Sequence, residues 1–429
     1  ADGLIYSRVG SGTYVLPPLQ MPPLPGKKAG EPWPLWQRDL SHQINDWQAD
    51  LPQDLKVLSG HADLINLAHG SGDCRNFPVE DFRKIIQSVI RRDGVVALDY
   101  GNRQGYPDLR STIVHVLASQ GIQTSIDQIL ITSGSQQALS LVASLLLKAG
   151  DAVLVEQPTY NVALLNFRHL GVRIIGLPMD EDGMVVDALE NLLQQHHPKL
   201  IYTIPNFHNP TGACLDLPRR RQLINLAERY NIPILEDDYV GDLRYEGRAQ
   251  PALKALDPGG HVIYISTFSK MVMPGLRIGF VVAEGPVYKS LAYLKFTFDL
   301  ATSNLLQRTI EAYVTVGRYQ AHLRRSCQIY RKRRDAMLQA IERHLPADSQ
   351  VLPPKGGLFI WLRLPDGISS HKLLPYAYQE GVAFSPGGKF FVDELDGEPY
   401  LRLNFAAVQL DRIDEALRRL RNAIQRYQG

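Results

Sequence analysis

Cysteine is scarce in this chain: Cys74, Cys214 and Cys327 are the only three among 429 residues, isolated from one another and outside any Cys or His ligand spacing. That pattern argues against a disulfide framework and against a zinc site, so the expectation is a protein without bound metal in a reducing cytoplasm. Long apolar runs are missing as well. No stretch approaches the roughly 18 apolar residues of a membrane-spanning helix, and polar residues break up the apolar core that a signal peptide would need. Nor is there an excess of either charge, since 46 Lys and Arg face 44 Asp and Glu for a formal net charge of +2. Nothing global therefore draws the chain to nucleic acid or to an anionic membrane. Internal repeats are absent too. What remains is an ordinary globular composition, 45% hydrophobic and 21% charged, in a chain long enough for two or three domains.

The first fifteen residues, ADGLIYSRVGSGTYV, alternate apolar and polar positions around a glycine-rich turn, the pattern of a β-hairpin. A run rich in Pro and Gly follows, VLPPLQMPPLPGKKAGEPWP, and reads as a stiff extended linker. A hairpin by itself is no domain. It is expected to be the tail of an upstream module or a strand that pairs elsewhere, with Trp33, Trp36 and Trp47 as anchors of the arm. From residue 64 the text becomes globular. A glycine-containing loop, NLAHGSGDCRNFP, precedes helical spacing over 79–92, and the polar DYGNRQGYPDLR leads into a helix over 107–121. Apolar runs at 129–132, 152–156, 173–177, 200–204 and 232–236 then alternate with helix-patterned segments. Two more, 262–265 and 278–283, flank a polar link. Such alternation predicts an α/β fold whose mostly parallel sheet carries helices on both faces, with the ligand site beyond the carboxyl ends of the strands.

After that link, 286–298, 303–316 and 319–344 read as helices. The basic run RRSCQIYRKRR, 324–334, is expected to be the solvated face of the long helix. Strand-like segments at 357–364, 382–384 and 400–405, with helices at 370–380 and 410–427, suit a smaller α+β domain. The expected division is a hairpin at 1–15, a linker and arm at 16–60, a first part of the small domain at 61–95, a large domain at 96–299 and the rest of the small domain at 300–429.

The chemistry gathers at the predicted carboxyl ends. A lysine in the polar link, Lys270, invites Schiff-base formation with an aldehyde cofactor, which a desolvated lysine of lowered pKa serves best. A phosphorylated pyridine aldehyde would also need an acid at its ring nitrogen, donors to its ring oxygen, a stacking face and a phosphate cradle. Asp237 follows the 232–236 run. Asn209 in PNFHNPTG and Tyr239 offer donors, and Tyr160 in PTYN offers a flat face. In TSGSQQAL, Gly134, Ser135 and Gln136 lie where a strand gives way to a helix N-terminus, which favours an anion. Thr267, Ser269 and Arg277 would complete that cradle. Each residue also has a bland alternative: Ser135 as a helix cap, Asp237 as a turn acid, Tyr160 as a core aromatic, Thr267 as a strand-end residue and Lys270 as a solvated loop lysine.

The ordered set TSGSQQAL, PTYN, PNFHNPTG, EDDY, STFSK, PGLRIG and YLRLNFA resembles the fold-type I aminotransferases that use pyridoxal phosphate, from about residue 64 to the end. The resemblance implies a large domain with a mostly parallel seven-stranded sheet plus a smaller α+β domain. It implies that Lys270 holds the cofactor as a Schiff base and that Asp237 pairs with the ring nitrogen. Asn209 and Tyr239 would hold the ring oxygen, and Arg277 the phosphate. It further implies that Arg402 clamps the substrate α-carboxylate beside Gly72 and Asn209, and that Tyr100 reaches the phosphate in the neighbouring subunit of a homodimer. Amino-acid and 2-oxo-acid substrates follow. Phe77 and the aromatics between 384 and 390, placed near the pocket mouth, suggest an apolar or aromatic one. RVGSGTYV with its Pro-rich sequel, EDDYVGDLRY and HLRRSCQIYRKRRDAML are similar to the MocR branch of the GntR-type regulators. There an aminotransferase-like domain follows a winged helix. The recognition helices do not occur in these residues, so DNA is expected to be met only through a missing N-terminal domain. A cofactor or amino-compound sensor, and a lyase or racemase on the same scaffold, are the alternatives.

Overall fold

The computed structural model describes residues 63–428 and, within the first fifteen, Gly10 and the backbone of two strands. These strands, β1 (Ile5–Arg8) and β2 (Gly12–Val15), pair antiparallel with Arg8 opposite Gly12, which is the expected hairpin. Gly10 turns it with φ +82°. Residues 1–53 form a unit of their own. The Pro-rich linker and the three tryptophans placed in the arm lie outside the described residues.

In the main unit, β3 (Ile65–Asn66) is followed by β4 (Ile129–Thr132), β5 (Ala152–Gln157), β6 (Arg173–Asp180), β7 (Gly183–Met184) and β8 (Leu200–Thr203). Then come β9 (Ile234–Asp238), β10 (Val262–Thr267) and β11 (Gly279–Val282). The large sheet runs β4-β11-β10-β9-β8-β5-β6-β7. Seven strands were expected; the eighth is β7, a two-residue strand folded back on the end of β6. Neighbours from β10 through β6 are parallel, whereas β11 opposes both β10 and β4. All residues of β4, β8, β9, β10 and β11 are buried. Helices cover both faces of such a sheet, which is why these strands read as continuous apolar runs instead of alternating ones.

The helices of this unit are α1 (Val79–Asp93), α2 (Pro107–Ser119), α3 (Ser135–Leu146), α4 (Asn161–His169), α5 (Leu189–His196) and α6 (Leu217–Tyr230). They continue as α7 (Gly285–Asp299), α8 (Asn304–Thr315), α9 (Arg318–His344), α10 (Ser370–Gln379) and α11 (Ile413–Gln428). Local chemistry starts them where the pattern says. Asp216 caps α6 by accepting from the Arg219 amide, with Pro218 in the first turn, a cap that contributes about 1 kcal/mol. On α11 the buried residues Ile413, Ala416, Leu417, Leu420, Ala423 and Ile424 recur every three or four positions and form one apolar stripe.

A second sheet is built from β12 (Gln350–Val351), β13 (Phe359–Arg363), β15 (Ser385–Pro386) and β16 (Tyr400–Asn404), all antiparallel in the order β12-β13-β16-β15. Between them β14 (Val382–Ala383) pairs with β3 in parallel, Ile65 opposite Val382. The segment at 65–68 is thereby held among strands from the far end of the chain.

Two local expectations change. Asp237 is expected to follow its strand, but β9 extends through Asp238, paired with β10 as far as Asp238 opposite Ser266. The ladder continues because both acids find hydroxyl donors, Asp237 from Tyr202 and Asp238 from Tyr264. The basic run on α9 is not wholly solvated. Arg333 turns inward to Asp73 and the Ala406 carbonyl, and Arg334 to the Pro354 carbonyl and Glu246, while Arg324, Arg325, Arg331 and Lys332 remain exposed.

Candidate active site

Strand direction explains how distant residues meet. In β10, β9, β8, β5 and β4, which run the same way, the chain leaves the sheet at one common edge. At that edge lie Lys270, Asp237 to Tyr239 (the first two being the last residues of β9), Asn209, Tyr160 and Gly134 to Gln136 respectively. β11 runs the other way, so its start lies at that edge. Gly279 sits between Thr267 and Thr132, which brings Arg277 to the same rim.

Lys270 donates from Nζ to the Gly70 carbonyl at 2.7 Å. Burial, and then the positive charges of Arg402 and Arg277, lower its pKa from 10.5 to about 8, against the pull of Asp237. Asp237 is fully within the protein, and burial raises its carboxyl to about 7 even though Tyr202 donates to Oδ2 at 2.9 Å. Its other oxygen, Oδ1, is buried with no hydrogen-bond partner among the described residues. A desolvated carboxylate oxygen without a donor is costly. It marks a place where a protonated group belongs.

Arg402 on β16 projects into the same space. Its Nη1 donates to Asn209 Oδ1 at 2.8 Å and its Nη2 to the Ala68 carbonyl at 3.0 Å and Ser385 Oγ at 3.3 Å. The guanidinium lies 4.0 Å from the Phe359 ring centre and 5.0 Å from that of Phe390. An arginine donates only, so the Asn209 oxygen is fixed towards it and the Asn209 amide nitrogen turns to the cleft. The Tyr239 hydroxyl donates to the Phe207 carbonyl at 3.0 Å, and burial pushes its pKa up. Tyr160 opens α4 and is likewise raised by burial, to about 12, within electrostatic reach of Asp237, Arg402 and Arg277.

At the start of α3, Gly134 adopts φ +88°, and a Cβ there would lie 2.6 Å from Arg277 Nη2. Only glycine lets the guanidinium lie across the helix N-terminus, where Nη2 reaches the Ser133 carbonyl at 2.9 Å and Nη1 reaches Ser269 Oγ at 3.5 Å. The free amides of Ser135 and Gln136 open the helix beside it. Thr267 serves the turn itself: its hydroxyl donates to the Ile278 carbonyl and accepts from the Ser269 amide.

A profile of the family "Aminotransferase class I and II" matches residues 62–420. The chain belongs to the class I and II aminotransferases. This aminotransferase is 36% identical over 396 residues to aromatic-amino-acid aminotransferase 1 of Thermococcus litoralis, covering 91% of this chain and 95% of that one. It superposes on a Pyrococcus horikoshii kynurenine aminotransferase, solved in complex with PMP, with TM-score 0.82 and 37% identity over 94% of this chain and 97% of the other. It is also 31% identical over 417 residues to the HTH-type transcriptional regulator YdfD of Bacillus subtilis, covering 97% of this chain and 84% of the regulator.

The cofactor of this aminotransferase is pyridoxal phosphate. Its residues fit the group: an unpartnered buried oxygen on Asp237 suits a protonated ring nitrogen, a desolvated amine on Lys270 suits an aldehyde, and the cradle at Gly134 suits a phosphate.

Other residues singled out in the sequence sit apart. Tyr100 is 80% exposed on the surface. A Cβ on Gly72 would lie 2.2 Å from the Tyr330 hydroxyl, so that glycine packs against α9, and the one facing Lys270 is Gly70. Phe384 and Phe390, expected at a pocket mouth, are wholly buried, the latter as backing for Arg402. Residues that sequence reasoning passed over are Tyr202, the Gly70 and Ala68 carbonyls and Ser385. Backbone carbonyls leave no mark in a sequence. Tyr202 did leave one, as the phenol in the short buried strand LIYT.

Proposed function

We propose that the chain transfers the amino group of an α-amino acid to a 2-oxo acid, with Lys270 as its nucleophile and proton carrier. The observation that carries this reading is the buried Lys270 amine, lowered to about 8 and facing the same cleft as the unpartnered Asp237 oxygen and the Arg402 fork. When bound, pyridoxal phosphate supplies an electron sink for the bond broken at the substrate Cα. The protein does the rest. Asp237 would keep the ring nitrogen protonated, Asn209 would donate to the ring oxygen, joined by Tyr239 once its hydroxyl turns from the Phe207 carbonyl, and Tyr160 would offer the ring a flat face. Ser135, Gln136, Ser269 and Arg277 would hold the phosphate, with Thr267 shaping the turn that carries Ser269. Arg402 holds the α-carboxylate so that the Cα hydrogen faces Lys270, whose Nζ is neutral often enough near pH 8 to take that proton.

A homodimer belongs to the same proposal. Val95, Val96, Leu98, Tyr100, Tyr293 and Phe298 are all more than half exposed. The Asn304 amide, donating to the Val96 carbonyl, ties the first of these segments to the chain that follows the second. An apolar patch of that kind supports an interface there, and Tyr100 would pass from it to the partner's phosphate. The domain limits expected from sequence, 61–95 with 300–429 against 96–299, are part of this reading.

A second reading is favoured by the β1–β2 hairpin and by the match to YdfD: the chain is the effector and dimerisation part of a MocR-type regulator that retains the transaminase site. Reading the gene upstream of Ala1 for a winged helix tests it. For the first reading, the holoprotein is offered a panel of amino acids with 2-oxoglutarate while absorbance and oxo-acid release are followed. Turnover that Lys270→Ala abolishes is expected. Absence of turnover with every donor, or turnover that survives the substitution, would overturn it.

A further inference from the structure

Tyr202 has no place in the roles assigned so far, yet its position is unusually determined. β8 lies beside β9 in parallel, with Tyr202 opposite Leu235. Residues paired across strands share a face and so do residues two apart, so Tyr202, Leu235 and Asp237 lie on one face and Asp238 on the other. The hydrogen bonds follow this division: Tyr202 donates to Asp237 at 2.9 Å, while Tyr264 and Asn206 donate to Asp238 at 2.9 and 3.3 Å. Tyr202 is 0% exposed, so its hydroxyl has no water to turn to. Phe167 packs edge-on against its ring with centroids 5.8 Å apart, which holds the ring in plane. On Asp237 the result is asymmetric, one oxygen occupied and the other bare.

We infer that Tyr202 is a positioning residue for the cofactor's ring nitrogen: by holding Oδ2 of Asp237 it stops the carboxylate from rotating and presents Oδ1 alone to the pyridinium N–H. The inference rests on the reading of Asp237 as the ring-nitrogen partner. Burial keeps the phenol protonated, far above its ordinary pKa, so it acts as a permanent donor. A donor to the charged carboxylate also opposes the desolvation that drives Asp237 towards neutrality. Tyr202 would thus serve both the direction and the charge of the acid without touching the cofactor.

The test is a double-mutant cycle on the dissociation constant of pyridoxal phosphate from the apo protein, with Tyr202→Phe, Asp237→Ala and the two combined. Tyr202→Phe is expected to weaken binding about tenfold, the scale of one hydrogen bond to a charged group, and to lower kcat more than it raises KM. In the Asp237→Ala background the same change should alter the dissociation constant less than about twofold, since the acid through which it acts is gone. An equal loss in both backgrounds would mean a merely structural tyrosine and overturn the inference. So would unchanged binding in Tyr202→Phe while Asp237→Ala loses affinity, although the reading of Asp237 would then stand. If Asp237→Ala itself kept full affinity and turnover, that reading would fail and the inference with it. Should the phenylalanine variant not fold, 3-fluorotyrosine at position 202 retains ring and hydroxyl and makes a stronger donor. Tighter binding is then expected, and unchanged or weaker binding refutes the proposal.

Discussion

Replacing Arg402 by lysine keeps the charge and removes the fork. In the native site the guanidinium is nearly fully buried, hydrogen-bonded to Asn209, Ala68 and Ser385 and packed against the rings of Phe359 and Phe390. A lysine ammonium is a single point with rotating donors and cannot present two parallel N–H groups to a carboxylate. One charge-assisted hydrogen bond of about 1.5–3 kcal/mol would be lost from the substrate, or roughly 10- to 150-fold in kcat/KM. The loss is specific to substrates that carry an α-carboxylate. Kinetics of Arg402→Lys with an amino acid and with its decarboxylated amine separate this from general damage. The ratio of the two kcat/KM values should fall by about 10-fold or more, because the amine never used the fork. A second effect is built in, since the Asn209 amide loses the donor that orients it, and cofactor affinity should fall in parallel. An unchanged amino acid to amine ratio, with both substrates slowed alike, would refute the assignment of Arg402 as the carboxylate clamp.

The depressed Lys270 pKa makes apo stability depend on pH. Between about 8 and 10.5 the unfolded chain binds a proton that the folded chain does not, so stability rises with pH across that window, by up to about 3 kcal/mol, and the penalty is fully present below pH 8. Melting curves of the apo protein should therefore show Lys270→Met more stable than wild type at pH 7, with the gap closing towards pH 10; a pH-independent gap contradicts the assignment. Gly134→Ala places a methyl 2.6 Å from Arg277 Nη2 at φ +88°. Backbone strain of about 1–3 kcal/mol is expected, and titration should show a larger loss of affinity for pyridoxal phosphate than for pyridoxal, because the displaced arginine serves the phosphate. Leu98→Glu combined with Tyr293→Glu buries two charges in the proposed interface. Sedimentation velocity should report monomers, whereas Tyr100→Phe should leave the dimer intact and weaken cofactor binding; a double variant that remains dimeric would place the interface elsewhere.

Much of the large domain is legible from pattern because parallel strands buried on both faces have little choice but to be continuous apolar runs. The motifs PTYN, PNFHNPTG, EDDY and STFSK are legible for a related reason: each sits where such a run stops, and a sheet with a common strand direction brings all those stops to one edge. The boundaries slipped where side chains from other strands intervened. Asp237 is expected just past its strand because the apolar run gives out at Leu235, and the hydroxyls of Tyr202 and Tyr264, contributed by neighbouring strands, together with the Asn206 amide let the acids lie within it. Arg333 and Arg334 read as solvated for the same reason: their partners Asp73 and Glu246 are far away in the chain.

The sequence by itself determined the fold class, the family and the residue types at the strand ends, since periodicity and motif order are properties of the chain. Tertiary structure decided what those residues face. Lys270 has a lowered pKa first because burial strips it of water, and then because Arg402 arrives from a distant strand to join the nearby Arg277. The Asn209 nitrogen is turned to the cleft only because Arg402 claims its oxygen. Gly70 meets the lysine where Gly72 does not, although two residues separate them in the chain. Desolvation and hydrogen-bond direction depend on all the neighbours of an atom at once, and most of those neighbours lie a hundred or more residues away.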